Sequence, residues 1–175
     1  MPSRYRVVFG YGVGVLVLVL ARPTPRSLLF ALPLFVLGEA VRLWASGHLE
    51  KTERLATGGP YAHTRNPLYL GSALLALGVA VACWSLGVVA AVILYMGAFY
   101  PAVVREEASF LRRKFGADYE SWAHEVPVFL PRLTPGGPRS TRFEWARVHR
   151  NREWRTAAAL PLVVLLLFLR GQVLH

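Results

Sequence analysis

Two groups of residues in this chain have the types and spacing to do chemistry. The first lies within residues 58–71, GGPYAHTRNPLYLG, where Tyr61, His63, Arg65, Asn66 and Tyr69 sit among turn-forming glycines and prolines. The second is Arg105, Glu106 and Glu107. Arginine and free backbone N–H groups bind carboxylate or phosphate, carboxylates hold hydroxyl or ammonium groups, and tyrosine faces attract a cation. Such a set suits a zwitterionic, nucleotide-like ligand, and S-adenosylmethionine offers all of those groups. Tyrosine and arginine also gather at membrane ends as interfacial anchors, so the residue types alone leave both readings open. Glu106 and Glu107 are adjacent and point about 100° apart on a helix, so at most one aims squarely into a given pocket. There is no HExxH, nucleophile elbow, phosphate-binding loop or histidine cluster with metal spacing, which leaves no motif for a resident metal.

The elements that must position these groups are membrane helices. Apolar residues make up 54% of the 175, and mean hydropathy is +0.39, high for a soluble chain of this length. Residues 68–104 contain no charge at all, a run far longer than the ~18 residues that mark a membrane-span candidate. As one helix it would reach about 56 Å against a hydrocarbon core of ~30 Å, so it must fold back. The turn is expected at Cys83, Trp84, Ser85, Leu86 and Gly87, giving a hairpin with its two polar ends on one side of the membrane. That brings the Tyr61 stretch and the Glu106–Glu107 pair together. Pro67 suits the first turn of the hairpin's opening helix, where a missing N–H does no harm.

About five spans are predicted in a single all-α membrane bundle with a cytoplasmic ligand-binding region. Two N-terminal spans fall within 1–45, the core with its hairpin within 46–131, a basic amphipathic segment within 132–155 and a last span within 156–175. The glycines Gly10, Gly12 and Gly14 lack the strand–turn–helix context of a nucleotide motif and predict close helix packing. Glu39 and Arg42 in the second span share one helical face, where they can pair with each other or belong to a site. Residues 141–155 alternate cations with Phe143, Trp145, Val148 and Trp154, which predicts a helix lying on an anionic lipid surface. The formal charge of +10 is concentrated in loops beside apolar spans, the pattern of a cytoplasmic membrane face rather than of nucleic-acid binding. Residues 46–67 and 105–155 are therefore expected in the cytoplasm of a prokaryote, with the protein in its plasma membrane. Oligomeric state is not legible.

Three blocks in order, GEAVRLWASGHL at 38–49, GGPYAHTRNPLYLG at 58–71 and EEASFLRRKFGADYESWAHEVPVFLP at 106–131, resemble the isoprenylcysteine carboxyl methyltransferases and the related phospholipid N-methyltransferases. The resemblance implies S-adenosylmethionine as cofactor, with Leu55, Tyr61, Asn66, Pro67, Leu68, Tyr69 and Glu107 lining its site and His48 as a polar contact. It implies that Arg42 lies near the reacting centre and that Arg65 orders the Asn66 run. A carboxylate acceptor needs no base, whereas an amine acceptor must lose a proton, for which Glu107, Glu106 and His48 are the candidates. Asn66 stands where the eukaryotic members have histidine, and Val103 where they have a substrate-binding arginine. The resemblance thus carries the cofactor site further than a prenylcysteine acceptor. The expected partners are a lipophilic or lipid-modified acceptor and membrane lipids. Methylation of a lipid amine and a non-catalytic scaffold or small transporter are the competing expectations.

Overall fold

The computed structural model describes residues 3–50, 54–138 and 141–174, without the side chains of 3–9, 11 and 174. Among the described residues there are seven α-helices, one 3₁₀ turn and no strand, so the all-α bundle is as expected. The helices are α1 (Ser3–Leu20), α2 (Pro25–His48), α3 (Pro67–Cys83), α4 (Leu86–Phe115), α5 (Ala117–Glu125), α6 (Trp145–Arg150) and α7 (Trp154–Leu174), with the 3₁₀ turn at Gly59–Ala62. Three of them, α2, α4 and α7, are long and apolar enough to cross a membrane, and α3 is a shorter apolar helix. Their outward faces carry large apolar side chains such as Val36, 67% exposed, and Leu94, 71% exposed, as a lipid-facing surface requires.

The hairpin forms where the charge-free run demanded it. Asn66 precedes α3, Pro67 occupies its first turn, and Trp84 ends the helix in the left-handed conformation at φ 47°. The return helix α4 is continuous from the apolar run into the charged REEASFLRRKF segment. Its 30 residues reach about 45 Å, so one end of it projects beyond a ~30 Å hydrocarbon core. At the opposite end of the bundle, Thr24 and Ser27 form a capping box at the start of α2. The Ser27 hydroxyl also donates to the Ala82 carbonyl at 2.7 Å, tying that turn to the hairpin's.

The closest packing in the bundle is between α2 and α3, and glycine permits it. A Cβ on Gly38 would lie 2.9 Å from the Gly71 carbonyl oxygen, and one on Gly71 would lie 2.7 Å from that of Gly38. Small residues let helix backbones approach where no water-driven force assists packing. The N-terminal glycines follow this rule only in part. Gly10 packs near the Tyr95 hydroxyl, whereas Gly12 and Gly14 face open space.

The C-terminal segment departs from expectation. Residues 141–155 do not form one amphipathic helix. They fold into the short α6 and two corners that dock against the charged end of α2, with Arg147 and Glu153 buried. Glu144 N–H donates to the Gly47 carbonyl at 3.0 Å, and the Asn151 amide donates to the carbonyls of Ser46 and Leu49, each at 3.0 Å. A 15-residue alternation of cations and aromatics cannot distinguish lipid headgroups from carboxylates and carbonyls of the same chain as partners.

Candidate functional site

Where the C-terminal half of α2, the start of α3 and the charged half of α4 meet, they line a cavity of about 470 Å³. Each wall has a local cause. The loop of residues 58–66 is held from both sides. Gly58 N–H donates to Thr141 Oγ1 at 3.2 Å, and Gly59 takes φ +57° with its missing Cβ replaced by the His48 ring. Trp122 on α5 donates its indole N–H to the Tyr61 carbonyl at 3.1 Å. The proline-bounded stretch 126–131 clamps the rest of the loop. Arg65 N–H donates to Pro127 O at 2.9 Å, Asn66 Nδ2 to Val128 O at 2.9 Å, and Thr64 Oγ1 to Phe129 O at 3.0 Å. Asn66 thus spends its amide N–H on the protein, locking the entry to α3.

The hairpin brings the two halves of the sequence motif into one cavity. Leu55, Tyr61, Arg65, Asn66, Pro67, Leu68, Tyr69, Arg42 and Glu107 all line it. Glu107 and Tyr69 are hydrogen-bonded through their side chains, and Tyr69 packs edge-on against Tyr100 with ring centroids 5.4 Å apart. The Tyr61 side chain is buried. Loss of water around it, with the Glu107 carboxylate nearby as a lesser cause, pushes its phenol above the ordinary range, so it stays protonated at neutral pH. Arg65 has a buried Nε without a hydrogen-bond partner, which leaves a cationic donor uncommitted at the cavity wall.

Arg42 lines the cavity, as expected of a residue near the reacting centre, with its guanidinium held by the protein. Nε and Nη2 hold the two carboxylate oxygens of Glu153 at 2.7 and 3.1 Å. Nη1 donates to the Ser72 hydroxyl and to Leu68 O, and Nη2 also reaches Thr156 Oγ1 at 3.4 Å. A guanidinium has five N–H donors, and all are engaged within the protein. The pairing of Glu39 with Arg42 suggested by their spacing does not occur. Arg42 takes Glu153 instead, and both Glu39 carboxylate oxygens are buried without a hydrogen-bond partner.

Two further placements correct the sequence reading. His48 does not line the cavity. Its Nδ1 lies 2.9 Å from the Trp44 carbonyl and its ring packs against Phe143 and Gly59, so it supports the loop from behind. Glu106 lies outside the cavity, whereas Glu107, Leu111 and Phe115, one turn apart on α4, line it. His63 is half-buried, with Nδ1 2.8 Å from the Arg132 carbonyl. Lining residues that sequence reasoning passed over are Leu49, Glu50, Arg54, Ala56, Ser72, Phe110, Leu111, Phe115 and Trp122. Leu111 and Phe115 continue the helical stripe that begins at Glu107, a signal the sequence did contain.

The bundle thus carries a ligand-sized cavity lined by Glu107 and Tyr69 together with the apolar Leu55, Leu111 and Phe115. The chain belongs to the phospholipid methyltransferase family, whose model matches residues 27–118, and at the level of that family it is a membrane methyltransferase. It is 38% identical over 95 residues to the cobalt-zinc-cadmium resistance protein CzcN of Cupriavidus metallidurans, and 34% identical over 95 residues to the nickel-cobalt-cadmium resistance protein NccN of Alcaligenes xylosoxydans xylosoxydans. Each match covers 53% of this chain and 44% of the relative, so the matched part spans less than half the length of these curated relatives. No solved structure matches.

Proposed function

We propose that the chain transfers the methyl group of S-adenosylmethionine to a lipophilic acceptor at the membrane interface, most directly a carboxyl group of an isoprenoid or lipid-like molecule. The observation that carries this reading is the cavity's donor set. Arg65 offers an uncommitted cation for the cofactor's carboxylate, Glu107 with Tyr69 offers acceptors for its hydroxyl or ammonium groups, and Leu55, Leu111, Phe115 and Trp122 offer apolar surface for its base. The bound cofactor supplies a sulfonium methyl that is already activated. The residues of this chain then have three tasks: to bind, to align and to exclude water. Alignment of that kind is worth up to about 7–11 kcal/mol in favourable intramolecular models.

The carboxylate oxygen of the acceptor forms the new bond to the methyl carbon as the carbon–sulfur bond breaks, and no proton moves. An amine acceptor must first lose a proton, for which Glu107 is the placed carboxylate. The family's description as phospholipid methyltransferases favours that second reading. The cation-rich segments 46–67 and 105–155 support a cytoplasmic cavity in a prokaryotic plasma membrane, reached by the polar cofactor from water and by the acceptor from lipid.

The test is incubation of the detergent-purified protein with methyl-labelled S-adenosylmethionine and a total lipid extract. Label is expected in lipid. Release of that label by alkali identifies an ester, and retention identifies a methylated nitrogen. No labelled lipid, together with no heat of cofactor binding in calorimetry, overturns the reading and leaves the scaffold or transporter alternative.

A further inference from the structure

We propose that Glu153, outside the segment matched by the family model, is a positioning residue of the methyl-transfer site, acting by fixing Arg42 in the cavity wall; this rests on the function proposed above. Arg42 spans the gap between α2 and the start of α3, where it binds Ser72 and the Leu68 carbonyl. Both oxygens of Glu153 hold it from the other side. Without Glu153 the guanidinium keeps its α3 contacts but loses the fork-to-fork pair that sets its plane. A long side chain pinned at one edge has rotamer freedom that the same chain pinned at both edges lacks.

The backbone around Glu153 is built to aim it. Helix α6 ends in a Schellman arrangement, with Arg152 N–H donating to His149 O at 2.9 Å and Glu153 N–H to Val148 O at 3.1 Å. Arg152 adopts φ +58°, a left-handed conformation that L side chains rarely take and that the Schellman turn requires here. The Glu153 carbonyl then accepts from Thr156 and Ala157 at 2.9 and 3.1 Å, opening α7. Glu153 thus joins the two helices and is fixed on both sides, and its residue surface is only 5% exposed.

A second ion pair makes the same connection. Arg147, also buried, pairs with Glu50, another cavity-lining residue, and with Glu144 at 2.8 Å. The segment of residues 141–156 therefore supplies the counter-charges for two wall residues. The matched family segment ends at residue 118, so the matched part alone lacks both.

The test compares the wild-type chain with Glu153→Gln and Glu153→Asp in detergent. The readouts are thermal midpoint, cofactor Kd by calorimetry, and label transferred from S-adenosylmethionine to a total lipid extract at saturating cofactor. Misplacement near a reacting centre predicts that Glu153→Gln loses about 10- to 100-fold in turnover while cofactor Kd changes by less than about threefold. Glu153→Asp, which keeps the charge, is expected to recover part of that loss at the same thermal midpoint. Wild-type turnover in Glu153→Gln overturns the positioning role and leaves the methyltransferase reading intact. A loss of turnover that follows the fall in thermal midpoint, with no recovery in Glu153→Asp, also overturns it, because a merely structural role behaves that way. Failure of the wild-type chain to label any lipid overturns the methyltransferase reading, and the role of Glu153 with it.

Discussion

Alanine at position 71 should damage fold and site together, because the contact that lets α2 and α3 approach is also the contact that seats Arg42. The new Cβ would lie 2.5 Å from Arg42 Cγ and 2.7 Å from the Gly38 carbonyl oxygen. The carbonyl is backbone and cannot rotate away, so the two helices must part by roughly 1 Å to reach ordinary van der Waals contact. Overpacking of this kind costs about 1–3 kcal/mol. The same shift draws the Arg42 guanidinium off Ser72 and Leu68 O, and a misplacement of about 1 Å near a reacting centre can cost about 100-fold in rate. Thermal midpoint in detergent and label transfer to lipid should therefore fall together for Gly71→Ala. Gly12→Ala and Gly14→Ala are the controls, since nothing lies within 4 Å of either added Cβ. In a helix interior those changes should stabilise by about 0.5–1 kcal/mol. A Gly71→Ala protein as stable and active as wild type would refute the claim that this glycine approach sets the site.

The remaining predictions concern single groups. Glu107→Gln removes the charge and Tyr69→Phe the hydroxyl of the side-chain pair in the cavity, and each should weaken cofactor binding by about tenfold in calorimetry, a loss of the size expected for one charge-assisted hydrogen bond. The double variant should be little worse than either single, and full additivity would show that the two groups act apart. Glu39→Met removes a buried carboxylate without a hydrogen-bond partner and should raise the thermal midpoint, by about 1–3 kcal/mol in stability, with turnover retained. A fall in turnover at an unchanged midpoint would instead place Glu39 in the site. Burial pushes the Tyr61 phenol up, so the unfolded chain ionises first and stability falls as pH climbs through about 10. The phenolate signal assigned to Tyr61 by difference from Tyr61→Phe should appear only on alkaline unfolding, and a titration at the ordinary tyrosine pH in folded protein would contradict the burial argument.

Legibility in this chain follows the range of the interactions. The hairpin was readable because two local quantities define it: a charge-free run too long for one crossing, and a breakable stretch at residues 83–87 near its middle. Pro67 at the start of α3 is likewise a property of one residue and its missing donor. The juxtaposition of Tyr61 with Glu107 then follows from connectivity, since a hairpin returns its ends to one side. The choice between Glu106 and Glu107 needed the phase of α4, which is set by what Ala108, Leu111 and Phe115 pack against. The sequence held half of that information, in the spacing 107, 111, 115.

The ion pairs were not readable for a different reason. Spacing places Glu39 and Arg42 on one helical face, but spacing gives only proximity, and a guanidinium binds the carboxylate whose geometry matches its fork. Glu153 is 111 residues away in sequence and matches it, held at the corner between α6 and α7 by bonds on both sides. Once Glu153 has engaged two of the five donors and Ser72, Leu68 and Thr156 the rest, Arg42 has nothing left for Glu39. The segment with no recognisable motif therefore determines what the motif's own arginine can do. The carboxylate left unpaired by that choice marks where local sequence logic and the folded arrangement part.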